Sequence, residues 1–388
     1  MKTGRGLGIV SILLACVMTL QGCCCGKKKE DEEALRQAKE AARQSNIQKV
    51  EAAIEKADMS LLWYYSFPDE KPIIRADMSE HTICLLLPDA KMMALDGDRG
   101  VLLWEMPLMG TFSGPPAIDA KRKVMYVTHS NKFWTLDAMS GCVNNRIWLI
   151  FHPCTGPVVT DSGVLLGAGD LNVHMIKPET GMRLWSAPVG SMVIAPPVCT
   201  DSKVVACGTS RIAVMDKDDG DLTWTWRPEF ATIDQGAVVD AENAYVGASD
   251  GAIYALNLED GSIVWRRVID GTPAQTPIIK GEVVVAVGDP SGLSGLDRKT
   301  GNLLWNVSNV KSVIAMGQNN AYCAPVAGQT IIAVNIQTGK IEFSIPTPEF
   351  KSFVSNPNDS LIVGLTHNNQ LFAFREKTGG SLLQAAAE

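Results

Sequence analysis

Three regularities in this 388-residue chain predict an all-β fold, an eight-bladed β-propeller preceded by a short helical tether. A turn glycine returns eight times, at Gly100, Gly141, Gly181, Gly220, Gly261, Gly301, Gly339 and Gly379, in steps of 41, 40, 39, 41, 40, 38 and 40 residues. Each unit holds four strand-like runs; in the fifth they are GAVVD, NAYVGAS, AIYALN and SIVWRR, separated by short Gly, Asp and Asn turns. Six of the nine tryptophans, Trp63, Trp104, Trp185, Trp224, Trp265 and Trp305, fall in one phase of that repeat. Four strands in about 40 residues mark a propeller blade. Eight such units make one ring, where length alone suggests two or three domains.

The first 22 residues read as a leader. Lys2 and Arg5 precede an uncharged apolar run from Leu7 to Leu20, 14 residues long. That is short for a spanning helix and suited to a signal peptide. The run ends in Leu20-Gln21-Gly22-Cys23, which resembles the lipobox of bacterial lipoproteins and implies cleavage before Cys23 and acylation of that residue. Two or more acyl chains make such an anchor stable. Cys24 follows where an Asp would be the retention signal, so by analogy with enterobacterial sorting the expected site is the outer membrane, on its periplasmic side. Formal charge is −7, and −9 without Lys2 and Arg5. An acidic chain lacks the charge that neutralises phosphates, so no nucleic-acid partner is expected.

Residues 23–58 form the anchor and tether. From residue 27 the stretch is rich in Lys, Glu, Ala and Gln, without Gly or Pro, and these are strong helix formers. Ile47, Val50, Ile54 and Ala57 recur at three- and four-residue steps, an apolar helical stripe. Ser45 or Asn46 is placed to cap a second helix there.

The propeller is expected over residues 59–384, with 385–388 as a tail. The repeating unit is A-L-D-x-x-x-G-x-x-x-W, as in ALDGDRGVLLW (94–104) and ALNLEDGSIVW (255–265). Its Asp-Gly or Thr-Gly step is a tight-turn signal. The last unit has no Trp strand after Gly379, whereas Ser60–Tyr65 is a Trp strand with no blade before it. Trp63 precedes Trp104 by 41 residues, in phase. The N-terminal strand is therefore expected to form the outer edge of the last blade and close the ring.

This unit resembles the PQQ-type repeat of eight-bladed quinoprotein propellers. With the lipobox, the chain is similar over roughly residues 59–384 to the BamB family, the lipid-anchored propellers of outer-membrane protein assembly. The resemblance implies a non-catalytic scaffold, without a cofactor, that contacts the membrane through its anchor and a β-barrel assembly complex through its surface. The alternatives are a dehydrogenase using PQQ and Ca²⁺, or another exported ligand-binding propeller. Quinoprotein dehydrogenases need clustered oxygen ligands, and several carry a vicinal Cys pair; here the only adjacent cysteines are Cys23 to Cys25.

The residues themselves carry little chemistry. His81, His129, His152, His174 and His367 are scattered, with no metal-spaced pair. His129 and His367 fall at equivalent blade turns and read as surface residues. Asp216, Asp218, Asp219 and Asp221 approach a cation cluster but belong to a hairpin. Cys84, Cys142, Cys154, Cys199, Cys207 and Cys323 have no zinc or redox spacing and read as small core residues, with bridges left open. No catalytic or metal-ligating residue is assigned.

A binding role falls to the loops. In a propeller the loops from the second to the third strand, and from the fourth strand to the next blade, share one face. Arg227, Glu229 and Asp234, and Arg266, Arg267 and Asp270, are the candidates for partner binding there, with Pro228 and Phe230 beside them. His152 and Lys311 occupy comparable loops. Arg among aromatic residues is typical of protein-binding patches.

Overall fold

A computed structural model of the chain describes residues 33–57, 59–67, 73–88, 91–108, 112–290, 292–327, 329–354 and 359–377. Residues 33–56 are helical without a break. Ser45 and Asn46 lie inside this helix and do not cap a second one, because nothing in the sequence there interrupts good helix formers. Cys23, the leader and Gly379 lie outside the described residues.

The remainder is the expected propeller: eight antiparallel sheets, one per repeat. We number the blades in chain order. Blade 1 has strands Arg75–Ser79, Thr82–Leu86, Lys91–Asp96 and Leu102–Pro107. Blades 2 to 7 span residues 117–148, 158–188, 198–226, 237–268, 272–308 and 310–346. Blade 8 takes Phe350–Val354, Ile362–Thr366 and Gln370–Glu376 from the end of the chain and Met59–Ser66 from its beginning. Met59 faces Glu376 and Ser66 faces Gln370 in an antiparallel ladder.

Within each blade the two middle strands hold the core. Asn243–Ala248 and Ala252–Asn257 of blade 5 are buried along almost their whole length, while outer strand Ile263–Val268 alternates. Middle strands are apolar on both faces because each blade is stacked between two others. The apolar clusters accordingly straddle neighbours: Trp185, Val189, Val204 and Ala213 join blades 3 and 4, and Trp63, Leu85, Val363 and Leu371 join blades 8 and 1.

The repeat residues are the fasteners of these junctions. Each phased tryptophan donates its indole N–H to a backbone carbonyl in the next blade's turn. Trp63 reaches Gly97 (2.8 Å), Trp104 reaches Ala138 (2.9 Å) and Trp185 reaches Lys217 (3.0 Å). Trp224, Trp265 and Trp305 reach Leu258, Arg298 and Ile336, each at 2.9 Å. The same rings lie over Gly100, Gly141, Gly220, Gly261, Gly301 and Gly339. At Gly301 φ is +69°, and a Cβ would stand 2.6 Å from the Trp265 ring, so both the backbone and the space require glycine. The turn Asp acts locally: Asp297 Oδ1 accepts from the Lys299 and Thr300 amides and the Thr300 hydroxyl. Those bonds, the hydroxyl's first, hold its carboxyl below the ordinary 3.8.

Blade 2 departs from the pattern. Asn145 stands in the Trp phase and donates to the Glu179 carbonyl (2.9 Å), while Ile147 covers Gly181. The hydrogen bond is kept and the indole is not.

Candidate interaction surface

The loops opposite the glycine turns form a hydrogen-bonded rim from blade 2 to blade 6. Gly169 N–H donates to His152 O (2.9 Å), and Val189 N–H to Leu171 O (2.9 Å). Thr209 N–H donates to Met192 O (3.0 Å) and Ile233 N–H to Thr209 O (2.9 Å). Ser249 N–H donates to Thr232 O (2.8 Å) and Ile269 N–H to Gly251 O (2.9 Å). The short turns of blades 3, 4 and 5 are thus each pinned between two longer inter-blade loops. Loops tied in this way present a preformed surface, which lowers the ordering cost of binding.

The candidates from the sequence fall into two groups. Arg227, Glu229, Asp234 and Asp270 are exposed on this rim. Asp234 accepts from the Thr232 hydroxyl (3.2 Å), and Arg227 and Glu229 border a depression of about 610 Å³. Arg266 and Arg267 lie elsewhere, in outer strand Ile263–Val268 and not in a loop. Arg266 is held by Asp250 (2.7 Å) and the Tyr254 hydroxyl (2.9 Å), and those two bonds raise its pKa. Arg267 reaches the next blade's turn, at Gly301 O (2.7 Å) and Asn302 Oδ1 (3.1 Å). Both are engaged within the ring, because the outer strand runs on past its tryptophan. Lys311 likewise lies in strand Val310–Met316.

The rim's main feature is apolar. Phe230 is fully exposed and Ile150 is 86% exposed, and Leu171 and Met192 are also exposed. They come from four loops of the rim, with the blade 4 turn at Thr209 between those of Met192 and Phe230, and Trp148, 68% exposed at the end of the blade 2 outer strand, lies two residues before Ile150. Phe230 holds φ at +56°, an unusual state for a bulky residue. Several exposed large apolar side chains on one pinned rim make it the candidate interaction surface. Ile150, Leu171 and Met192 are invisible as a group in the sequence; the one signal is large apolar residues inside Gly- and Pro-containing loops.

Among the described residues, no group of three or more His, Cys, Asp or Glu side chains converges as a cation site requires. Asp216 and Asp219 instead accept from the backbone amides of Asp218 and Asp221. His174 is buried, stacked on Phe151 at 3.8 Å and bonded through Nε2 to Asp170 (3.0 Å). Burial lowers its pKa below 6.5 against the opposing pull of Asp170. His129 ends strand Val124–His129 and is buried, which corrects its reading as a surface turn residue; His367 is exposed in its turn. The six cysteines are free. Burial pushes Cys199 up to about 11 and Cys207 up to about 12, so neither is a ready nucleophile.

Comparison with known proteins adds the following. A family model described as outer membrane protein assembly factor BamB matches residues 145–232 and 209–349, more than half of the chain. BamB of Yersinia pestis is 22% identical over 166 residues, 39% of this chain and 42% of that protein. A polyvinylalcohol dehydrogenase from a Pseudomonas species is 27% identical over 203 residues, 45% of this chain and 29% of that enzyme. Each match spans less than half of the curated relative's length. The crystal structure of BamB from Moraxella catarrhalis superposes with a TM-score of 0.66 at 15% identity, covering 82% of this chain and 99% of that one, a likeness of fold.

Proposed function

Because the chain belongs to the family of outer membrane protein assembly factor BamB, we propose that it is a non-catalytic scaffold in outer-membrane β-barrel protein assembly. In this reading acylated Cys23 anchors it to the outer membrane, and the rim of blades 2 to 5 docks a protein partner of the assembly complex. The observation that supports docking is the row of exposed apolar residues, Ile150, Leu171, Met192 and Phe230, on loops hydrogen-bonded to one another. Arg227, Glu229, Asp234 and Asp270 add exposed charge on the same rim, toward its blade 4 to 6 end.

The test is a double substitution, Ile150→Asp with Phe230→Asp, expressed in the full-length protein. Both side chains are exposed, so the fold tolerates the change. The expected result is at least tenfold less barrel-assembly complex co-purifying from crosslinked membranes, about 1.4 kcal/mol or more, with an unchanged thermal melt. Undiminished co-purification overturns the docking surface.

A further inference from the structure

Blades 7 and 8 share a feature that the other blades lack. Their innermost strands begin Val310-Lys311-Ser312-Val313-Ile314 and Phe350-Lys351-Ser352-Phe353-Val354, the same pattern 40 residues apart. In each, pairing with the next strand skips the lysine: Val310 and Ser312 face Pro325 and Ala324, and Phe350 and Ser352 face Thr366 and Leu365. Lys311 and Lys351 are thus the extra residues of two equivalent β-bulges, the device by which a strand re-aims one side chain. The side-chain amide of Gln275 fixes the first of these strands, accepting from Val313 N–H (3.0 Å) and donating to Val313 O (3.1 Å).

Both lysines line one depression of about 620 Å³. Its described lining contains no carboxylate, in a chain whose formal charge is −7. Both lysines are exposed, and neither ammonium has a hydrogen bond or ion pair among the described residues. Ser312, Ser352 and Gln329 add hydrogen-bonding groups, and Val326 and Phe353 add apolar wall. A single phosphate would fill a small part of that space and leave the apolar wall wet.

The geometry points to a docking site for an acidic, extended segment of a protein partner, held by Lys311 and Lys351 through its carboxylates. It deepens the scaffold reading by giving the partner's chemistry at a second place, on blades 7 and 8. An extended segment that alternates Glu with an apolar residue supplies both the carboxylates and the apolar contact.

The probe is a fluorescein-labelled ten-residue peptide of alternating Glu and Val, measured by anisotropy on the full chain, beside Gln–Val and Lys–Val counterparts. The protein is expected to bind Glu–Val and not Gln–Val. Lys311→Gln with Lys351→Gln should weaken binding by about tenfold, as the loss of two exposed ion pairs allows. Lys311→Glu with Lys351→Glu should turn the preference to Lys–Val, which a merely unfolded variant would not do. Equal binding of Glu–Val and Gln–Val, no binding of Glu–Val, or an unaffected double Gln variant overturns the proposal. So does displacement by inorganic phosphate at matched ionic strength, which would make this a small-anion site. The Ile150→Asp and Phe230→Asp protein should keep its peptide binding, so failure of the rim and failure of this site are told apart.

Discussion

His174 illustrates what one buried side chain does to the molecule. Its ring lies between Phe151 and the Asp170 carboxylate, and burial sets its pKa below the ordinary 6.5. A group whose pKa is lowered by folding adds stability that is full above its unfolded value. That stability is lost as pH falls through the folded value, because the unfolded chain then binds the extra proton. The melting temperature of the protein should therefore fall more steeply than that of His174→Phe between about pH 7 and about pH 5. Parallel slopes in a fluorescence melt would refute this. The sequence offered His174 only as one of five scattered histidines, since a stacking partner and a carboxylate become visible only when blade 3 folds. Gly301 and Trp265 are the opposite case. Their roles are spelled by local spacing, and the ring over the glycine is what that spacing builds.

At the scale of the element, the junction between blades is the unit of stability. Trp63 belongs to the first strand of the propeller yet fastens the last blade to blade 1, through Gly97 O and over Gly100. Trp63→Ala removes a buried indole and should cost about 3–5 kcal/mol in urea unfolding. Trp148→Ala, at a side chain 68% exposed, should stay within about 0.5 kcal/mol. Similar losses at both positions would show that the phased tryptophans are not the fasteners. Each outer strand also carries a bulge beside its tryptophan position, as at Leu103 opposite Ala94 and Leu95, or at Val264 opposite Ala255 and Leu256. The strand then continues beyond the tryptophan, and this extension moved Arg266 and Arg267 out of the loops where their sequence placed them. Strand type was legible from alternation, whereas strand ends depend on pairing with the neighbouring strand, as where Val268 faces Ala252 and Arg267 faces Ile253.

At the scale of the whole molecule, a ring of repeats fixes a framework and leaves activity to whatever its loops and inner strands display. A polyvinylalcohol dehydrogenase is 27% identical over 203 residues, and the described residues assemble no group of three or more His, Cys, Asp or Glu side chains for a cation. Adding PQQ and Ca²⁺ to the purified protein should give no dye-linked alcohol oxidation; turnover would reverse the non-catalytic reading. The propeller class was legible because period and turn chemistry are written in every unit. The candidate surfaces were only partly so. Exposed Phe230 and Arg227 sit in one short stretch, but Ile150, Leu171 and Met192 are brought to one rim only through the order of the blades. Lys311 and Lys351 were readable as a forty-residue echo, yet the bulges that single them out are not. The blade 8 ladder, Met59–Ser66 on Gln370–Glu376, has a consequence in time. A chain is synthesised from its N-terminus, so its first strand must wait, unpaired, for nearly the last one to emerge. Contacts so distant in sequence form slowly. Completion of the ring therefore reports that Gln370–Glu376 has arrived, and a copy that stops before that strand is left with an open, protease-accessible edge.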